Sequence, residues 1–164
     1  MGQATVVSNA TPLIALAWLE QLTLLPRLFE TIHIPQAVQD ELLHNPDAIG
    51  VAEFRAAPWL EVTPVTDHLA VVMLLDQLDA GESEAIVLAH ELQAGLLLMD
   101  ERRGRRRAVQ GGLTIVGTLG ILVEARQRGL IGPLASLLEK LQRLPFYMSQ
   151  ALMVKVLKQV GEQL

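Results

Sequence analysis

Short apolar runs alternate along this chain with longer stretches whose apolar residues recur every three or four positions. That alternation predicts strands separated by helices. Thr5-Val6-Val7-Ser8 reads as a buried strand stopping at Asn9. Thr11-Pro12 then opens a helix, with Thr as the cap and Pro in the first turn. Leu13, Ile14, Leu16 and Leu19 give this helix a broad apolar face. A short helix over 22–29 leads to a strand at 31–34, and Pro35 starts a helix reaching Leu43. A weakly specified helix ending near 56 precedes an edge strand at 60–62, bracketed by Pro58 and Pro64. Helices over 68–78 and 80–92 come next. The clearest buried strand, Leu96-Leu97-Leu98-Met99, then ends at Asp100. A basic helix over 101–110 is stopped by Gly111-Gly112, a strand follows at 113–116, and Thr118 leads a helix to about Arg128. Two more helices start near Pro133 and Ser149, the last ending near Gly161. Strands alternating with helices imply a parallel sheet covered on both faces. The expected fold is therefore one three-layer α/β/α domain over 1–164. Its core spans about 4–130 and its helical C-terminal extension about 133–161.

Composition narrows the class. Hydrophobic residues make up 51% of the 164 and mean hydropathy is +0.34, so the chain has enough apolar surface to build a core. No apolar run reaches the ~18 residues of a membrane span. The N-terminus has no basic region, and Pro12 and Glu20 interrupt its apolar run, which argues against a signal peptide. Zero cysteines exclude disulfides and thiolate metal sites and suit a reducing cytoplasm. Net charge is −5, but five of the 13 basic residues are Arg102, Arg103, Arg105, Arg106 and Arg107. Outside that cluster, eight basic residues face 18 acidic ones. A dense arginine cluster in an acidic protein is a candidate anion site.

Four polar motifs fall at predicted strand ends or helix starts: Ser8-Asn9-Ala10-Thr11, Glu41 within Val38-Gln39-Asp40-Glu41-Leu42, Gly81-Glu82-Ser83-Glu84-Ala85, and Met99-Asp100-Glu101-Arg102-Arg103. In an α/β fold, strand C-termini and adjacent helix N-termini converge on one crevice. Carboxylates gathered there suit a divalent cation. Each residue also has a plainer reading. Asn9 suits a turn and Thr11 an N-cap, while Glu41 borders the apolar face of its helix. Asp79-Ala80-Gly81-Glu82 has capping-box spacing. Glu82 and Glu84 project about 200° apart on a helix, so one compact site cannot hold both. Glu82 lies nearer the apolar side and Glu84 is the fallback. Asp100 ends an apolar strand, where a carboxylate needs a partner unless it caps the next helix. The arginines are either a solvated helix face or phosphate contacts beside Asp100. His33, His44, His68 and His90 have no ligand spacing and read as structural or exposed.

The order and spacing of these motifs resemble the PIN-domain nucleases, in particular the uncharacterised PIN-like branch related to VapC-type toxins of toxin–antitoxin systems. The resemblance runs from Val6 to about Leu157. It rests on Ser8-Asn9-Ala10-Thr11-Pro12-Leu13-Ile14, Ile34-Pro35 through Leu42, Gly81 through Ile86, and Leu98 through Arg105. It implies an endoribonuclease that uses Mg²⁺ or Mn²⁺. Asn9, Glu41, Glu82 and Asp100 would be the metal ligands, and Glu41, Glu82 and Asp100 the catalytic residues. Thr11 would orient the site, and Arg102, Arg103, Arg105 and Arg106 would contact RNA phosphates. It also implies RNA as substrate, an antitoxin protein as partner, a homodimer, and a cytoplasmic location. Met148, Leu152, Met153 and Val156 suit either such a protein contact or an internal seam. Asn9 departs from the pattern by standing where the family has an acid. An amide oxygen can ligate a hard cation but brings no charge and cannot act as a base. The alternative is therefore a catalytically silent PIN-like module that binds RNA or protein.

Overall fold

The computed structural model describes residues 4–144 and 148–163. The described residues form five strands: β1 (Val6–Ser8), β2 (Ile32–Ile34), β3 (Leu60–Val62), β4 (Leu96–Leu98) and β5 (Ile115–Val116). Four helices precede β3: α1 (Ala10–Trp18), α2 (Leu24–Leu28), α3 (Gln36–Leu43) and α4 (Val51–Ala56). Then come α5 (His68–Leu74), α6 (Ala80–Glu91), α7 (Arg102–Gln110), α8 (Thr118–Gln127), α9 (Leu134–Gln142) and α10 (Gln150–Gln159). Every strand pair is parallel and the sheet order is β3-β2-β1-β4-β5. The expected α/β fold with a central parallel sheet and a helical C-terminal extension is the observed one.

Alternation along the strands builds two cores. Val6 and Leu98 face one side, where α1, α8, α9 and α10 bury Leu13, Leu16, Ile121, Leu138 and Leu157. Val7, Leu97 and Met99 face the other, against Leu88 and Ile86 of α6 and Ala108 of α7. The C-terminal helices complete the first core: Met148, Met153 and Val156 are buried there, while Leu152 is 38% exposed. Three of the four C-terminal residues weighed for a protein contact thus belong to the internal seam.

Two boundaries differ from expectation in ways that bear on the site. Helix α1 begins at Ala10 with Asn9, not Thr11, at the N-cap position, which frees the Thr11 hydroxyl from capping. Helix α5 ends at Leu74, because the Leu75 N–H divides between the Val71 and Val72 carbonyls and the chain then turns into the Asp79 cap of α6. That turn sets where α6 begins.

Winding reverses between β1 and β4. From β1 the chain adds β2 and β3 on one side, then returns to place β4 and β5 on the other. A crevice opens at such a reversal, outside the strand C-termini. The Asn9 N–H donates to the Leu98 carbonyl at 2.9 Å and extends the β1–β4 ladder by one step. Its side chain is thereby held at the crevice floor.

Candidate metal centre

Asn9 is 3% exposed, and among the described residues its Oδ1 has no hydrogen-bond partner. Its Nδ2 donates to Glu101 Oε2 at 3.0 Å. The Thr11 hydroxyl donates to the other oxygen, Glu101 Oε1. An unpaired buried amide oxygen carries a desolvation penalty of about 1–3 kcal/mol, so one left in a crevice calls for an explanation.

Two helices bring carboxylates to the same place. Helix α3 packs on α6, and Gly81 in the first turn of α6 keeps the gap between them open. A Cβ at Gly81 would stand 3.1 Å from Glu41 Oε2, 3.2 Å from Asn9 Oδ1 and 3.6 Å from Asp79 Oδ1. Three oxygens from three elements therefore border one small space. Burial lifts the Glu41 carboxyl above its ordinary value, and the charges of Asp79 and Glu101 lift it further.

Glu82 is a cap that also borders the crevice. Its Oε2 accepts from the Asp79 N–H at 3.1 Å, while Asp79 Oδ1 accepts from the Glu82 N–H at 2.8 Å. The sequence spacing left capping box and site as alternatives; the structure shows the capping box, with the carboxyl buried near the charges of Glu41 and Glu101. Buried to 7% exposure, the Glu82 carboxyl is raised chiefly by desolvation, against the lowering from the Asp79 N–H. Asp79, Glu101 and Glu41 add smaller upward pushes. Glu84 points elsewhere: its Oε2 accepts from the Ala37 N–H at 2.8 Å and satisfies an open donor in the first turn of α3. The fallback ligand is thus a helix cap.

Asp100 lies on the opposite wall and does not cap α7, whose N-cap is Glu101. Its Oδ1 accepts from the Thr118 N–H at 2.8 Å and its Oδ2 from the Thr118 hydroxyl at 2.6 Å, which ties it to the N-terminus of α8. Only glycine fits at Gly117, where a Cβ would come within 2.6 Å of Asp100 Oδ1. Burial raises the Asp100 carboxyl, and Glu101 adds to that, whereas Thr118 and Arg105 pull it down.

The arginines divide by helix face. Arg102 and Arg105 line a cavity of about 600 Å³ that meets the acidic site at Asp100 and is walled by Val116, Leu119 and Val156. Arg103, Arg106 and Arg107 line a separate depression with Gln77 and Gln110. All five are exposed, and among the described residues none is in an ion pair. The expected group of four phosphate contacts is therefore two groups. Ion pairs do not absorb them.

A protein-family model described as a PIN domain (DUF3368) matches residues 5–162. The chain belongs to the PIN-domain family. Membership points to nuclease-type activity in general, and PIN domains generally use divalent metal ions. No curated protein matches the sequence. Among the described residues, no helix is long and apolar enough to cross a membrane.

The PIN-type donor set suits a hard divalent cation in its chemistry: a neutral oxygen from Asn9 and carboxylates from Glu41, Glu82 and Asp100. The unpaired Asn9 Oδ1 is the structural sign of that fit. Among the described residues, no three acidic or imidazole side chains already meet at metal-ligand spacing. The residues that sequence reasoning passed over are Glu101, Asp79 and Thr118. Glu101 looked like the tail of the Asp100 motif, and Asp79 like a cap alone. Thr118 was legible in principle, because it follows a strand end just as Asn9 and Asp100 do.

Proposed function

We propose that this PIN domain is a divalent-metal-dependent endoribonuclease, related to the VapC branch and acting as the toxin of a toxin–antitoxin pair. The observation that carries the reading is the unpartnered, buried Asn9 Oδ1 facing the same gap as Glu41. Around it stand carboxyls held above their ordinary values by burial and by one another. Such a group is unfavourable as it stands and becomes favourable around a cation. Asn9, Glu41, Glu82 and Asp100 would hold Mg²⁺ or Mn²⁺, whose charge would activate water and offset charge developing at the phosphate. Glu41, whose carboxyl is raised by burial and by the neighbouring charges of Asp79 and Glu101, would take the proton of the attacking water. Thr118 donates to both Asp100 oxygens, which fixes the carboxyl and opposes the upward push of burial. Arg102 and Arg105, beside Asp100, would hold the flanking phosphates without reading base identity. In this reading an antitoxin or a second copy meets apolar side chains, and Leu69, Val72 and Met73 of α5 are exposed in that way.

One observation favours the silent alternative: among the described residues, the carboxylates are not already drawn together at ligand spacing. The two readings separate on incubation of the purified protein with single-stranded and structured RNA in Mn²⁺, Mg²⁺ or EDTA. We expect metal-dependent cleavage that Asp100→Asn lowers on the order of a hundredfold. Circular dichroism would verify that the variant is folded, since the asparagine oxygen can still accept from the Thr118 N–H. Cleavage that persists in EDTA, or equally in Asp100→Asn, would sink the nuclease reading. RNA binding without cleavage would leave the silent module.

A further inference from the structure

Glu101 occupies the N-cap position of α7, yet its side chain makes no cap hydrogen bond there. It reaches across the crevice instead and takes both donors of the β1 wall, Asn9 Nδ2 at 3.0 Å and the Thr11 hydroxyl. The Asn9 amide is planar, so holding its NH₂ on Glu101 fixes the direction of its oxygen. That oxygen is the buried, unpartnered one, and it faces the gap at Gly81 beside Glu41 Oε2. An aspartate at residue 9 would present an oxygen where Glu101 now receives an N–H. The Asn9–Glu101 pair carries one negative charge in total. An aspartate paired with a neutral amide would carry the same.

We propose that Asn9 and Glu101 act as one composite ligand group, in which Asn9 gives the inward oxygen and Glu101 gives the charge that residue 9 lacks. This rests on the metal-dependent reading of the site. Glu101 is a positioning residue here: it orients the amide and contributes its charge across a short distance, while Thr11 holds its second oxygen. The asparagine is then an exchange of polarity between two partners and not a lost ligand. It follows that restoring an acid at residue 9 alone does harm, because it sets two carboxylates at a 3.0 Å contact.

The test is a double-variant cycle on the full chain, read by calorimetric titration with Mn²⁺ and by melting temperature in EDTA. Glu101→Gln should weaken Mn²⁺ binding about tenfold or more. Asn9→Asp should fail to tighten Mn²⁺ binding despite its added charge, and should lower the melting temperature in EDTA. Asn9→Asp combined with Glu101→Gln should return Mn²⁺ affinity to within about two- to threefold of wild type, the scatter of an additive cycle. It should also restore the melting temperature. A merely structural role for Glu101 does not predict that rescue. Unchanged Mn²⁺ affinity in Glu101→Gln, tighter binding in Asn9→Asp alone, or no rescue in the double variant would overturn the composite ligand only. Wild-type protein that binds no Mn²⁺ would overturn the metal-dependent reading, and this inference with it.

Discussion

Asp100 and Glu41 stand on opposite walls of one crevice and have opposite surroundings. Asp100 receives an N–H and a hydroxyl from Thr118 at the positive end of α8, and Arg105 adds a favourable charge. Glu41 faces Asp79, Glu101 and an amide oxygen, and among the described residues no hydrogen bond offsets its burial. The β4–β5 wall is thus complete without a ligand, and the β1–α3–α6 wall is not. A fold that needed only structural carboxylates would give both walls donors. On the metal-dependent reading proposed above, a cation would correct the imbalance at Asn9, Glu41 and Glu82, with Asp100 as the fixed edge.

Removing charge from the deficient wall gives the sharpest test of that contrast. Glu41→Gln should lower metal-dependent cleavage on the order of a hundredfold, as loss of a ligand or base does. The same change should raise the melting temperature in EDTA, because it removes a carboxylate that Asp79 and Glu101 repel. Asp100→Asn should lower the melting temperature instead, since an NH₂ group cannot accept the hydrogen bond that Oδ2 now takes from the Thr118 hydroxyl. Opposite signs for the two variants, measured by cleavage rate and by thermal melts, would establish that the walls differ. Equal signs would erase the distinction.

The part of this contrast that was legible in the sequence is the part set by local periodicity. Apolar runs ending in Asn9 and Asp100 marked the strand ends, and the 200° separation of Glu82 and Glu84 matches their separate partners, the Asp79 N–H and the Ala37 N–H. Strand lengths were less legible: β5 is only Ile115–Val116, although the apolar run starts at Leu113, because Leu113 turns back to bond the Ala108 carbonyl at the end of α7. The pairing of Glu101 with Asn9 and Thr11 joins residues about ninety positions apart, and no local pattern encodes it. A glutamate after a strand-end aspartate looks the same whether it caps its own helix or crosses a crevice. The arginine faces were missed for a different reason. Their helical spacing was available, but grouping them by charge concealed it, and one face turns toward Asp100 while the other turns toward Gln77.

Acidity probes the same imbalance without mutation. Glu41, Glu82 and Asp100 have folded-state values raised above their ordinary 4.5, 4.5 and 3.8. A raised folded value means that the native state binds more protons than the unfolded state, so stability falls as pH rises from the ordinary values through the raised ones. Glu91 and Glu162 have lowered values, held down by N–H and hydroxyl donors and, for Glu162, by Arg126. Their stabilisation is present above 4.5 and is lost below it, outside the window where the crevice acids act. The metal-free protein should therefore melt higher at pH 5 than at pH 7.5. Glu41→Gln with Glu82→Gln should flatten that slope. Saturating Mn²⁺ at pH 7.5 should more than offset it, by about 2.7 kcal/mol at a hundred times its dissociation constant. A slope unchanged by the double substitution would place the titrating groups elsewhere.

The smallest expected effect separates the two arginine faces. Arg102 and Arg105 share a cavity with Asp100, whereas Arg103, Arg106 and Arg107 do not. Neutralising one phosphate contact reduces the slope of log affinity against log salt by about 0.7 for a single strand. Arg102→Ala with Arg105→Ala should therefore cut the slope for single-stranded RNA by about 1.4 and weaken binding evenly across sequences. Arg103→Ala with Arg106→Ala should change the slope less, because those side chains face Gln77 and lie off the path that starts at the acidic wall. Fluorescence anisotropy over a salt series in Ca²⁺, which fills oxygen sites without supporting rapid turnover in most Mg²⁺ nucleases, would measure both pairs. If the Gln77 side carries the larger slope, RNA crosses α7 on its outer face, and the cavity beside Asp100 is not the phosphate track.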